Sequence, residues 1–160
     1  MKALMVIDMQ HGQISENNKH IVEKINNLLK KGGFDKVIFT RFYNDEESPF
    51  VKFLNYREML SDEETEICVE MSDDSWIFPK VSYCLAPQQL NYLKERGFDE
   101  VVLCGTDIDA CVLAIAFNLF DYGIRPYFKW DCLASKGGDK TLKNKTKAII
   151  LKNFGEDCII

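Results

Sequence analysis

The stretch VVLCGTDIDACVLAIAFNLFDYG, Val101 to Gly123, decides the fold of this chain. EVVLCG (Glu100–Gly105) is an apolar run of strand length that ends on a glycine. A short loop with two aspartates, Asp107 and Asp109, follows, and then Ala110–Tyr122, too long and too apolar for anything but a buried helix. Strand, tight loop and helix in that order make half of a parallel β–α–β unit. Cys111 stands at the start of the helix, where it either packs as a small hydrophobe or attacks a substrate.

Working outward, the same alternation runs through the chain. KALMVI (Lys2–Ile7) is a strand, and HIVEKINNLLKKGG is a helix with Ile21, Ile25, Leu28 and Leu29 on one face and Gly32–Gly33 as its stop. KVIFT (Lys36–Thr40) and WIFPK (Trp76–Lys80) are further strands, Pro79 limiting the pairing of the second. Between them, Asn44 to Asp74 shows no clean period beyond a short helix at SPFVKFL. APQQLNYLKERGF is a helix with proline in its first turn and Gly97 as its stop. IRPYFKWD is a strand ending at Asp131, DKTLKNKTKAIILKNFG a last helix, and DCII a terminal strand fragment. Strands separated by helices predict a three-layer α/β/α arrangement, an open, mainly parallel sheet of about six strands in a single domain spanning residues 1–160.

A chain of 160 residues buries enough surface to fold without staples. Its net charge of -5 argues against nucleic acid as a partner, because phosphate binding needs a basic surface. The five lysines between Lys136 and Lys147 are interrupted by Asp139 and read as a solvated helix start rather than an anion site. The apolar run before Asp8 is too short for a signal core, and nothing approaches the roughly 20 apolar residues of a membrane span. A cytoplasmic location with no membrane partner is therefore expected. The six cysteines, Cys68, Cys84, Cys104, Cys111, Cys132 and Cys158, include no CxxC pair and no metal-ligand spacing. No cofactor or metal site is expected.

Ligands in such sheets bind outside the carboxyl ends of the strands, near the point where strand order reverses. The predicted strands end at Asp8, Thr40–Arg41, Lys80, Gly105 and Asp131, so three separate strands deliver a carboxylate, an amine and the Cys111 thiol to one rim. A helix N-terminus and a nearby ammonium both lower a thiol pKa, and a carboxylate in reach takes the proton and returns it to a leaving group. Singly, each residue has a plainer reading: Asp8 as a cap, Lys80 as a surface lysine, Cys111 as core. Topology alone leaves packing and function evenly matched.

The residues at these strand ends resemble the isochorismatase-like cysteine hydrolases, the family that includes nicotinamidases and N-carbamoylsarcosine amidohydrolase. ALMVIDMQ looks like the family's first strand with its aspartate, FPKVSYCLA like the region of its lysine, and LCGTDIDACV like its cysteine block. The resemblance implies Asp8 as general base, Lys80 as the cation that orients it and polarises the site, and Cys111 as nucleophile. It also implies a cis peptide at Thr106–Asp107 and an oxyanion hole formed by the backbone N–H groups of Asp107 and Cys111. The implied reaction is thiolate attack on an amide or ureido C–N substrate through a thioester, in a protein that forms dimers or tetramers. Gln10, Arg41, Phe42, Trp76 and Tyr83 are candidate contacts for a small-molecule substrate, with Trp130 a further one; each serves equally as packing.

Departures from the family pattern narrow the reading. TRFYNDEESPF lacks the histidines of the nicotinamidase metal motif, and HGQ (His11–Gln13) stands where an aromatic usually follows. Asp107 replaces a commonly small residue; turned into the pocket it disfavours an anionic substrate and raises the Cys111 pKa. The isochorismatase branch proper lacks the nucleophilic cysteine that is present here. Two further readings remain: a member that has lost turnover and works as a binding or scaffolding protein, and a thiol redox sensor with Cys104 or Cys132 as resolving partner.

Overall fold

A computed structural model describes residues 1–137 and 140–160, with only the backbone at Lys140. Its elements are β1 (Lys2–Ile7), α1 (His20–Lys31), β2 (Lys36–Phe42), α2 (Pro49–Leu54), α3 (Asp62–Thr65), β3 (Trp76–Lys80), α4 (Pro87–Glu95), β4 (Glu100–Gly105), α5 (Cys111–Asp121), β5 (Arg125–Leu133) and α6 (Lys140–Phe154). The strands form one sheet of order β3-β2-β1-β4-β5, and every neighbouring pair is parallel. The chain winds outward from β1 to β3, then returns to the other side of β1 for β4 and β5. Strand order thus reverses between β1 and β4, where a crevice opens beyond the strand ends.

Alternation along β1 separates two cores. Ala3, Met5 and Ile7 face α4, α5 and α6 through Leu90, Leu93, Val112, Ile115 and Ile150, while Leu4 and Val6 face α1 through Ile21 and Ile25. Both sheet faces are covered, which is why the strands read as continuous apolar runs.

Five strands stand where about six were expected. Glu156–Cys158 coils into a single 3-10 turn after Gly155, leaving Ile159 and Ile160 to make one parallel bridge to Phe128 instead of a ladder. β5 runs two residues past Asp131, to Leu133. Asp139, expected to interrupt the lysine-rich helix start, lies outside the described residues; Lys143 in that helix donates to the carbonyls of Trp130 and Leu133 at the end of β5. Among the described residues no helix is long and apolar enough to cross a membrane.

Gly105 sets how closely β4 approaches β1. Its φ is +115°, and a Cβ there would lie 2.1 Å from the Ile7 carbonyl oxygen, so only glycine fits. The following Thr106 N–H donates to that same oxygen at 3.0 Å, which draws the loop before α5 against the end of β1, where Asp8 begins.

Candidate active site

Asp8 leaves β1 in the left-handed region, with φ of 49°, a conformation an aspartate tolerates better than a bulky residue does. Thr40 on the neighbouring β2 locks it there: the Asp8 N–H donates to Thr40 Oγ1 at 3.0 Å, and the hydroxyl donates to Asp8 Oδ1 at 2.6 Å. The second oxygen, Oδ2, lies 2.8 Å from Lys80 Nζ, and both side chains are 1% exposed. Lys80 also donates to the Ser82 carbonyl at 2.9 Å and to Cys111 Sγ at 3.4 Å. One ammonium therefore touches the carboxylate and the thiol together. Apart from that ion pair, Oδ2 accepts no well-directed hydrogen bond among the described residues, leaving acceptor capacity beside the thiol.

The electrostatics run against the expectation of a depressed thiol pKa. Burial is the largest cause and pushes the Cys111 thiol well above its ordinary range; the Asp8 carboxylate pushes it further, and Lys80 only partly offsets them. At rest the sulfur keeps its proton. For Lys80, burial works to lower the pKa, but the Asp8 carboxylate, with the hydrogen bonds to Asp8 and to the Cys111 sulfur, outweighs it and holds the ammonium above its usual value.

The Thr106–Asp107 peptide is cis. Ala110, ahead of α5, provides no side-chain cap, and neither the Asp107 nor the Cys111 N–H has an acceptor among the described residues. The Asp107 carboxylate is turned toward the protein: one oxygen accepts from the Thr106 hydroxyl and from the Lys136 N–H. Burial, followed by the nearby Asp109 and Asp8, raises its pKa.

Cys111 opens onto a cleft of about 330 Å³. Phe42 and Tyr83, both expected as contacts, line it, with the Phe50 ring between them at 4.9 Å from each. Lys80 Nζ sits 4.9 Å from the centre of the Phe42 ring.

Four other expected contacts do not line this cleft. Gln10 is buried with its amide used up: Nε2 donates to the carbonyls of Phe42 and Thr65, and Oε1 accepts from the Phe42 N–H, so it fastens β2 to α3. Arg41 turns to Thr65 and stacks near Tyr43. Trp76 begins β3, about 13 Å of strand away from Lys80 at its other end, and packs on Tyr92 and Phe98. Trp130 lies under Lys143 and Lys147.

Gln13, Asn55, Tyr56 and Lys136 complete the polar lining; Gln13 ends the HGQ stretch already noted at the position of a family aromatic, whereas the other three were not expected at the site. Asn55 and Tyr56 lie in the stretch without periodicity, but they follow a readable helix: Ser48 caps α2, Pro49 is its first residue, and Asn55, left-handed at φ 52°, ends it. A loop leaving the carboxyl end of β2 shares the rim with Lys80, and Lys136 follows β5 on that rim too. Position on the rim, rather than residue type, was the available signal.

Residues 2–151 match the model of the isochorismatase domain. The chain belongs to the isochorismatase family. Its fold is that family's hydrolase fold: a pyrazinamidase/nicotinamidase from Streptococcus mutans superposes with a TM-score of 0.85 at 19% identity, covering 100% of each chain. An N-carbamoylsarcosine amidase from Thermoplasma acidophilum gives 0.79 at 21% identity, over 96% of this chain and 92% of that one. A pyrazinamidase from Pyrococcus horikoshii, determined in complex with zinc, gives 0.79 at 20% identity, over 99% and 96%. No curated protein matches the chain. Among the described residues, no three His, Cys, Asp or Glu side chains are grouped to hold a metal.

Proposed function

We propose that this isochorismatase-family protein is a cysteine hydrolase that cleaves a C–N bond of a small amide or ureide without a metal or other cofactor. One observation carries the reading: Lys80 Nζ lies within reach of both the Asp8 carboxylate and the Cys111 sulfur, at the head of an open cleft.

Asp8 takes the thiol proton as Sγ attacks the substrate carbonyl carbon. Because burial and Asp8 hold the resting thiol neutral, proton transfer belongs to the attack itself. The charge that develops on the carbonyl oxygen meets the Asp107 and Cys111 N–H groups, each such donor contributing about 3 kcal/mol in comparable sites. The C–N bond breaks, the proton passes from Asp8 to the departing nitrogen, and a thioester remains on Cys111. Water then attacks the thioester carbonyl, giving its proton to Asp8; the carboxylic acid departs and the proton returns to sulfur. Lys80 stays charged throughout, orienting Asp8 and offsetting negative charge on the sulfur.

We assign the protein to the cytoplasm and to a homodimer or homotetramer in the same reading. Phe53 and Leu54, exposed at the end of α2, favour self-association, which sedimentation tests.

The decisive experiment is an ammonia-release screen over small amides and ureides. Release that disappears in Cys111→Ala supports the mechanism; release that survives in that variant overturns it. A substrate-free result across the screen, with ligand binding retained, favours the binding protein instead.

A further inference from the structure

Tyr56 carries one of two buried side-chain atoms without a hydrogen-bond partner among the described residues; the other, Asp8 Oδ2, is ion-paired with Lys80. Both belong to residues at the same site. The main chain of Tyr56 is tied at both ends: its N–H donates to the Phe50 carbonyl at 3.0 Å, and its own carbonyl accepts from Asn44 Nδ2 at 2.9 Å. The ring lines the cleft beside Cys111 and Asp107, with Lys136 Nζ 5.9 Å from its centre. Lys136 is itself engaged, donating to the Gly12 carbonyl and paired with Glu58, so it does not reach across to the phenol oxygen. Gln13 lies beside the hydroxyl without meeting hydrogen-bond geometry.

A buried hydroxyl on a main chain tied at both ends, and itself left unpaired, is poised for a ligand atom, because a polar group stripped of water gains most when a partner arrives. Burial first, opposed by the neighbouring Gln13 amide and reinforced by the Asp107 carboxylate, pushes its pKa up to about 12. The group therefore meets a ligand as an O–H donor. Asp107 also lines the cleft, but one of its carboxylate oxygens is already occupied by Thr106 and Lys136.

We propose that the Tyr56 hydroxyl is the specificity-determining donor of the cleft, binding an acceptor atom that the substrate carries beyond its scissile carbonyl. This rests on Cys111 being the nucleophile that the cleft serves. The favoured substrate is then a small uncharged amide or ureide whose body stacks on the Phe42–Phe50–Tyr83 wall and bears a nitrogen or oxygen lone pair facing Tyr56.

The test uses reagents that need no turnover. N-benzylchloroacetamide and its three pyridylmethyl analogues place an acceptor nitrogen at three positions of one ring; alkylation of Cys111 is followed by mass spectrometry in the wild type and in Tyr56→Phe. At least one pyridyl reagent should label wild-type Cys111 about tenfold faster than the benzyl reagent, the size of one ordinary hydrogen bond. That preference, read as the pyridyl-to-benzyl ratio within each protein, should vanish in Tyr56→Phe. The melting temperature of Tyr56→Phe should be unchanged or higher, since the hydroxyl has no partner to lose. Labelling of Cys111 with the same pyridyl-to-benzyl ratio in both proteins overturns the role of Tyr56 alone. A Cys111 that none of the four reagents labels in the folded protein, though all do in urea, overturns the nucleophile reading and this proposal with it.

Discussion

Lys80 Nζ stands 2.8 Å from Asp8 Oδ2 and 3.4 Å from Cys111 Sγ, so the carboxylate and the thiol are coupled through a single buried ammonium. Both members of the ion pair are almost wholly withdrawn from water. Removing one leaves the other as an uncompensated charge, which costs far more than the pair contributes intact. Lys80→Met, which keeps the stem and deletes the charge, should destabilise the protein by about 3–5 kcal/mol at pH 7. Urea denaturation measures it; a loss under 1 kcal/mol would mean that the charge on Asp8 is neutralised in some other way.

Asp8→Asn separates the two roles of the carboxylate. Asp8 raises the thiol pKa, second only to burial; without it, Lys80 acts on the sulfur unopposed and the thiolate fraction grows. Iodoacetamide should therefore alkylate Cys111 faster in Asp8→Asn at pH 7, while amide hydrolysis falls by about 10²–10⁴, the usual worth of a positioned base. Slower alkylation and intact hydrolysis together would contradict Asp8 as base.

Gly105→Ala tests the close approach that delivers the loop before α5 to the site. The added Cβ meets the Ile7 carbonyl oxygen and the residue must hold a positive φ. Overlap with a backbone atom in a strained conformation should cost about 2–5 kcal/mol, read as a lower denaturation midpoint. An undiminished midpoint would show that β4 and β1 can separate at no cost.

Gln10→Leu should lower stability by about 2–4 kcal/mol by leaving the Phe42 N–H and the carbonyls of Phe42 and Thr65 without this partner. Because the side chain does not line the cleft, kcat should stay within about threefold of wild type. A collapse of kcat with unchanged stability would restore Gln10 as a substrate contact.

Tyr56 gives a spectroscopic signature at high pH. Its pKa is raised to about 12, burial being the main cause, so the folded protein holds that proton where the unfolded chain, near 10, has lost it. The stabilisation linked to the protonated phenol is complete below pH 10 and lost as pH rises through 12. Ultraviolet titration should show one late phenolate transition, absent in Tyr56→Phe; its persistence in that variant would assign it to another tyrosine.

The order of strands and helices was legible because each element carries its own period: apolar runs of strand length ending at Ile7, Thr40, Lys80 and Gly105, and amphipathic or apolar helices between them. Strand order in a parallel sheet follows from handed crossovers, so Asp8, Lys80 and Cys111 were traceable to one rim before any coordinates. Trp76 shows the limit of that reasoning, since it sits at the wrong end of a correctly read strand. Gln10 shows another: its neighbours Phe42 and Thr65 are distant in sequence, and only their convergence reveals an amide already spent. By itself the sequence determined the fold class and which three reactive groups share a rim, because both depend on local period and chain direction. The tertiary structure decided that burial and Asp8 keep the thiol protonated, that Phe42, Phe50 and Tyr83 form one wall, and that the Tyr56 hydroxyl stands unpaired beside it. Those outcomes depend on solvent exclusion and on contacts between segments far apart along the chain, neither of which is written in any local pattern.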